Sequence, residues 1–159
     1  MDHDFIINTI IENNGIICGG YMREWVINNT PSDQGWSDID IKCTKENEKI
    51  IENLIKDKYP NIELDFRINN FTKNESPFSF NLFLYDGKIK VVNEFEEYNN
   101  KWIEYAKQKK CVVMFKYLNN FKQKILKDKI LNGWIFLNSK DEIITDKMKI
   151  FIGKDFYFL

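Results

Sequence analysis

The 159-residue chain is 43% apolar and 30% charged, and no apolar run approaches the length of a bilayer span, which excludes a disordered chain and a helical membrane protein. Three widely spaced cysteines without a Cys-x-x-Cys pair, and a single histidine, exclude a zinc module and a disulfide scaffold. The net charge of −1 conceals an asymmetry: residues 1–100 carry 10 Lys/Arg against 18 Asp/Glu, and residues 101–159 carry 13 against 6.

This length suits one compact unit. The expected division is a core over 1–92 and a basic, largely helical part over 93–159 packed on it. The start, Met1-Asp2-His3-Asp4, lacks the cationic and apolar segments of a secretory signal, so an intracellular, cytoplasmic setting without a membrane partner is expected.

In chain order, Ile6, Ile7, Ile10 and Ile11 stand at helical spacing within 4–13, with Asn13-Asn14-Gly15 as a stop and His3 in a frayed end. Ile16 to Cys18 read as a short buried strand, and Tyr21 to Asn28 as a helix carrying Met22, Trp25 and Val26. A turn-rich loop, Pro31 to Gly35, leads into a strand over 36–43. Thr44 caps a helix whose first turn holds Glu46 and Glu48, with Ile50, Ile51, Leu54 and Ile55 as its buried stripe. Residues 62–68 then alternate, sending Ile62, Leu64, Phe66 and Ile68 inward and Glu63, Asp65 and Arg67 to the other face.

The segment 78–85 fits helix or strand equally. Asp86-Gly87 turns into a strand over 88–92, and Asn93 with Glu96 resembles a capping box opening a helix with Phe95, Tyr98, Trp102 and Tyr105. A second helix is expected over 113–131. Trp102, Tyr98, Tyr105 and Trp134, among Lys107, Lys109, Lys110 and Lys116, suit either base stacking or an ordinary core stripe.

Two stretches carry chemistry. Gly19-Gly20, after a strand and before a helix, leave room for backbone N–H groups to approach an anion, with phosphate the natural candidate. In Asp38-Ile39-Asp40-Ile41 the period of two puts both carboxylates on one face and both isoleucines on the other. Two such charges about 4 Å apart repel by about 1 kcal/mol in water and about 4 kcal/mol at an effective dielectric of 20. A divalent cation relieves that repulsion, and hard oxygen ligands suit Mg²⁺ (or Mn²⁺). Arg23, one turn into the helix, suits a phosphate contact or an ion pair with a neighbouring carboxylate. Ser37 either assists a phosphate or ends the loop.

Gly19-Gly20-Tyr21-Met22-Arg23-Glu24, followed by Ser37-Asp38-Ile39-Asp40-Ile41, resembles the Gly-Gly-x-Val-Arg-Asp and Asp-x-Asp signature of class II tRNA nucleotidyltransferases (CCA-adding enzymes) and bacterial poly(A) polymerases. These belong to the DNA polymerase β-like nucleotidyltransferase superfamily. Ile62 to Arg67 is similar to the family's strand with a Glu shortly before Phe-Arg, and Phe78 to Asp86 to its Asp-Phe-Thr-Ile-Asn-Ala-x-Ala-Tyr-Asp segment, so the resemblance spans about residues 15–92.

The resemblance implies an α+β nucleotidyltransferase fold with a central mixed sheet flanked by helices, and transfer of a nucleotide from a nucleoside triphosphate to a hydroxyl acceptor such as an RNA 3′ end, with release of pyrophosphate. Asp38 and Asp40 would hold the metal, Glu63 by resemblance or Asp65 by facing would complete the acidic set, and Gly19 and Gly20 would cradle phosphates. The basic C-terminal stretch adds RNA or another nucleic acid as an expected partner. Glu75-Ser76-Pro77 stands where the family has Arg-Arg-Asp, and no Glu-Asp-x-x-Arg follows Tyr85. These departures motivate a second reading: a catalytically degenerate domain, of a virus or mobile element, kept as a binding or structural module.

Overall fold

In the computed structural model, which describes residues 1–67, 76–114 and 132–145, the chain runs α1 (His3–Glu12), β1 (Ile16–Cys18), α2 (Gly19–Asn28), β2 (Ile39–Lys42), α3 (Lys45–Lys58), β3 (Leu64–Arg67), β4 (Phe83–Tyr85), β5 (Ile89–Val91), α4 (Asn99–Lys107), β6 (Lys110–Val112) and β7 (Ile135–Leu137). The fold is α+β. A five-stranded sheet has the order β3-β2-β1-β4-β5, and β6 pairs with β7 in a separate parallel ribbon. The large sheet is mixed: β2 and β3 are parallel, as their connection through α3 requires, and the other neighbours are antiparallel.

Local chemistry sets the element ends. Asp2 caps α1 by accepting the Phe5 N–H at 3.0 Å, and Thr44 caps α3 by accepting from Asn47. Asn14 and Asn29, both with positive φ, release the chain from α1 and α2. His3 is no frayed residue: it opens α1, and its ring reaches Tyr21 Oη at 2.8 Å and Asp33 Oδ1 at 2.6 Å.

Ile17, Ile39, Ile41, Ile51 and Ile55 are fully buried together with Tyr21 and Met22, and this core continues without a break into Trp102, Trp134 and Phe136. The described residues of the 1–92 and 93–159 parts therefore share one hydrophobic core.

Several expectations are corrected. The strand expected over 36–43 is Ile39–Lys42, so Asp38 precedes it. The stripe of α3 is narrower than expected, because Ile50 and Leu54 lie one position off the line of Ile51 and Ile55 and are 46% and 47% exposed. The ambiguous 78–85 segment is both things: Ser79–Asn81 form a 3₁₀ turn and Phe83–Tyr85 a strand. Asn93 makes no side-chain cap; Asn93–Tyr98 form a kinked 3₁₀ segment before α4.

Val113 does not start a helix. It bridges to Phe78 and follows β6, while the rest of the helix expected over 113–131, from 115 onward, lies outside the described residues, as do Lys116 and Ile68. The C-terminal part thus contains a parallel strand pair besides α4. Among the described residues, no helix is long and apolar enough to cross a membrane.

Candidate functional site

The sheet aligns three residues across adjacent strands: Cys18 on β1 is paired with Asp40 on β2, and Asp40 with Asp65 on β3. Residues directly opposite one another project to the same face, so the register itself brings the Asp40 and Asp65 side chains together. Asp38, just ahead of β2, joins them: one carboxylate oxygen from each of Asp38, Asp40 and Asp65 lies within 4.8 Å of the other two. Glu63 lies outside this cluster, exposed at the turn before β3, where its carbonyl accepts the Ile39 N–H at 3.0 Å. Of the two candidates for the third carboxylate, the geometry selects Asp65.

Asp40 is the buried member, 6% exposed. Burial, with Asp38 and Asp65 adding to it and Arg67 opposing it, pushes its carboxyl up from 3.8 to about 6. Arg67, one alternation beyond Asp65 on β3, places a guanidinium nitrogen 3.0 Å from Asp40 Oδ1 and another 3.5 Å from Asp65 Oδ2. The contact with Asp40 is an ion pair, and Oδ1 is left without a hydrogen bond among the described residues. The alternation of 62–68 puts Arg67 on this face but does not disclose its partners.

Above Asp40 begins α2. Its N-cap, Cys18, offers no side-chain hydrogen bond to the first turn. Gly19 has φ +73°, and a Cβ there would stand 1.8 Å from Asp40 Oδ2. Gly19 therefore lets the start of the helix close onto Asp40, whose carboxylate takes the space that a side chain at position 19 would need, while the space at Gly20 faces Arg23 and Trp36.

Arg23, which suits a phosphate contact or an ion pair with a neighbouring carboxylate, is 8% exposed and forms the ion pair, with Glu24. It donates to Glu24 Oε2 at 2.9 Å, Asn81 Oδ1 at 3.0 Å and the Gly35 carbonyl at 3.0 Å, clamping the 29–38 loop to the 3₁₀ turn. It thereby fixes the loop that carries Ser37 and Asp38. Ser37 is exposed, its hydroxyl 3.5 Å from Asp38 Oδ1. Trp102 and Trp134, weighed above as base-stacking candidates, are buried in the core.

The donor set fits a hard divalent cation. It is all carboxylate oxygen, it comes from two neighbouring strands and the residue just ahead of one of them, and it includes a buried oxygen without a hydrogen bond among the described residues. No protein-family model matches the chain, no curated protein matches it, and no solved structure matches it.

Proposed function

We propose that the chain is a metal-dependent nucleotidyltransferase that moves a nucleotide from a nucleoside triphosphate to a hydroxyl acceptor and releases pyrophosphate. The observation that carries this reading is the convergence of Asp38, Asp40 and Asp65 under the glycine-opened N-terminus of α2.

Each part has a role in such a reaction. Asp38, Asp40 and Asp65 would hold Mg²⁺ (or Mn²⁺), which when bound supplies charge neutralisation to the phosphates and lowers the cost of deprotonating the acceptor hydroxyl. The uncapped N–H groups following Gly19 and Gly20 would bind phosphate oxygens, where the helix dipole favours negative charge. Arg23, through Gly35 and Asn81, would keep Asp38 in place. Ser37, next to Asp38, would contribute a hydroxyl toward phosphate.

The test is calorimetric titration of ATP with and without Mg²⁺, on the wild type and on Asp38→Asn/Asp40→Asn. Metal-dependent binding that disappears in the double variant is expected. Binding indifferent to metal, or none, would overturn the reading.

One observation favours a second reading. The Arg67 guanidinium already stands against Asp40 and Asp65, an internal cation where a metal would otherwise balance the charge. A degenerate domain, retained as a binding or structural module, would keep such a pair permanently closed.

A further inference from the structure

The turns that deliver Asp38 and Asp65 also form the walls of a cavity of about 390 Å³, lined among others by Trp36, Ser37, Tyr59, Ile62 and Glu63. This volume suits a small organic molecule. Ser37 is the neighbour of Asp38, and Glu63 stands two positions before Asp65, about 7 Å along an extended strand. The two walls are tied by the Ile39 N–H to Glu63 carbonyl bond at 3.0 Å.

Most polar tips around this cavity are already used inside the protein. The Trp36 indole N–H donates to the Ser32 carbonyl at 2.5 Å, and Tyr59 Oη accepts the Asp2 N–H at 2.7 Å. The Lys58 ammonium, also on the rim, is neutralised by Asp2 Oδ2 at 3.0 Å. The Met1 α-ammonium, a second cation on the rim, stands 3.8 Å from Asp33 Oδ2. Beside Ser37 and Asn61 the groove then keeps its aromatic and aliphatic wall and one charge without a partner, because the Glu63 carboxylate has no hydrogen bond or ion pair among the described residues. A carboxylate beside two aromatic side chains attracts a cation. It repels a phosphate chain.

Resting on the transferase reading, we propose that this groove binds the acceptor, and that the acceptor is a small hydroxyl-bearing organic amine with an apolar body. The ammonium pairs with Glu63, the apolar body lies against Trp36 and Tyr59, and the hydroxyl is presented toward Asp65.

The probe is 2-amino-1-phenylethanol, with 1-phenylethanol as its uncharged counterpart and a short oligoadenylate as the polyanion. Binding is read by calorimetry and by the Trp36 indole N–H resonance at neutral pH. The amine is expected to bind about fivefold more tightly than the alcohol, and Glu63→Gln, an exposed substitution, is expected to erase that preference without changing alcohol binding. Equal binding of the two, a preference that survives Glu63→Gln, or displacement of the amine by oligoadenylate would overturn the proposal. Mg²⁺·ATP binding without selective amine binding removes the groove proposal and leaves the transferase reading standing. Selective amine binding without any Mg²⁺·ATP binding removes the groove's role as acceptor site, through failure of the transferase reading.

Discussion

Gly19 and Asp40 are mutually exclusive of a larger partner: a methyl group on the first would fall 1.8 Å from Oδ2 of the second, at a backbone φ of +73° that L-residues rarely adopt. The helix start and the acidic cluster are therefore built as one unit. Gly19→Ala is expected to cost about 2 kcal/mol through strain and displacement of the carboxylate. It is also expected to weaken Mg²⁺ binding, read by denaturant melts and metal titration. Gly20→Ala comes no nearer to a neighbour than 3.3 Å, at the end of Arg23, with Trp36 Cβ at 3.7 Å, and is expected to lose less on both measures.

Asp40 gives the metal-free protein a pH signature. Its carboxyl is raised from 3.8 to about 6, so between those values the folded state holds a proton that the unfolded chain has released. Stability from this group is complete below the lower value and is lost as pH rises through the upper one. Urea midpoints measured across that window should fall with rising pH, and Asp40→Asn should flatten the fall. Mg²⁺ requires the ionised form, so its stabilising effect should grow over the same interval with release of a proton.

Arg67 separates the two functional readings. Arg67→Met removes the guanidinium 3.0 Å from Asp40 Oδ1, and because Arg67 is half exposed the loss of stability without metal is expected to be about 1 kcal/mol. At a pH well above the titration of Asp40, Mg²⁺ should then bind more tightly than to wild type and restore stability. A variant that is destabilised and gains nothing from Mg²⁺ would favour the closed, degenerate pair. Calorimetry and thermal melts with and without metal decide between these outcomes.

Arg23 offers a test away from the carboxylates. Lysine cannot reproduce a planar fork that meets Glu24, Asn81 and the Gly35 carbonyl at once, so Arg23→Lys is expected to cost about 3 kcal/mol and to loosen the loop ahead of Asp38. Asn81→Ala removes one of the three bonds, with an expected cost of about 1 kcal/mol. Denaturation curves give both values.

The alternation in 38–41 and 62–67 is enough to place Asp40, Asp65 and Arg67 on strand faces away from the isoleucines, because period two is a local property; Asp38 and Glu63 fall just ahead of the two strands. Which of Glu63 and Asp65 meets Asp40 was not legible, since that depends on the pairing Asp40 to Asp65, a relation between strands. Arg67 as counter-ion and Arg23 as clamp were hidden for the same reason: their partners are set by tertiary contact, with Asn81 far from Arg23 in the chain. In α3 four apolar residues stand at 50, 51, 54 and 55, a wider stripe than the packing covers, which is only the line of Ile51 and Ile55. In β6 and β7, three residues each are too few to show a period at all.

Because β2 and β3 are joined through α3, Asp40 and Asp65 stay distant in the unfolded chain and meet only once the helix has returned the backbone to the near edge of the sheet. Their repulsion therefore belongs to the folded molecule and not to the open chain. A cation held between them would bind the native form alone and favour it by mass action, so that the midpoint of unfolding would climb with the cation's concentration.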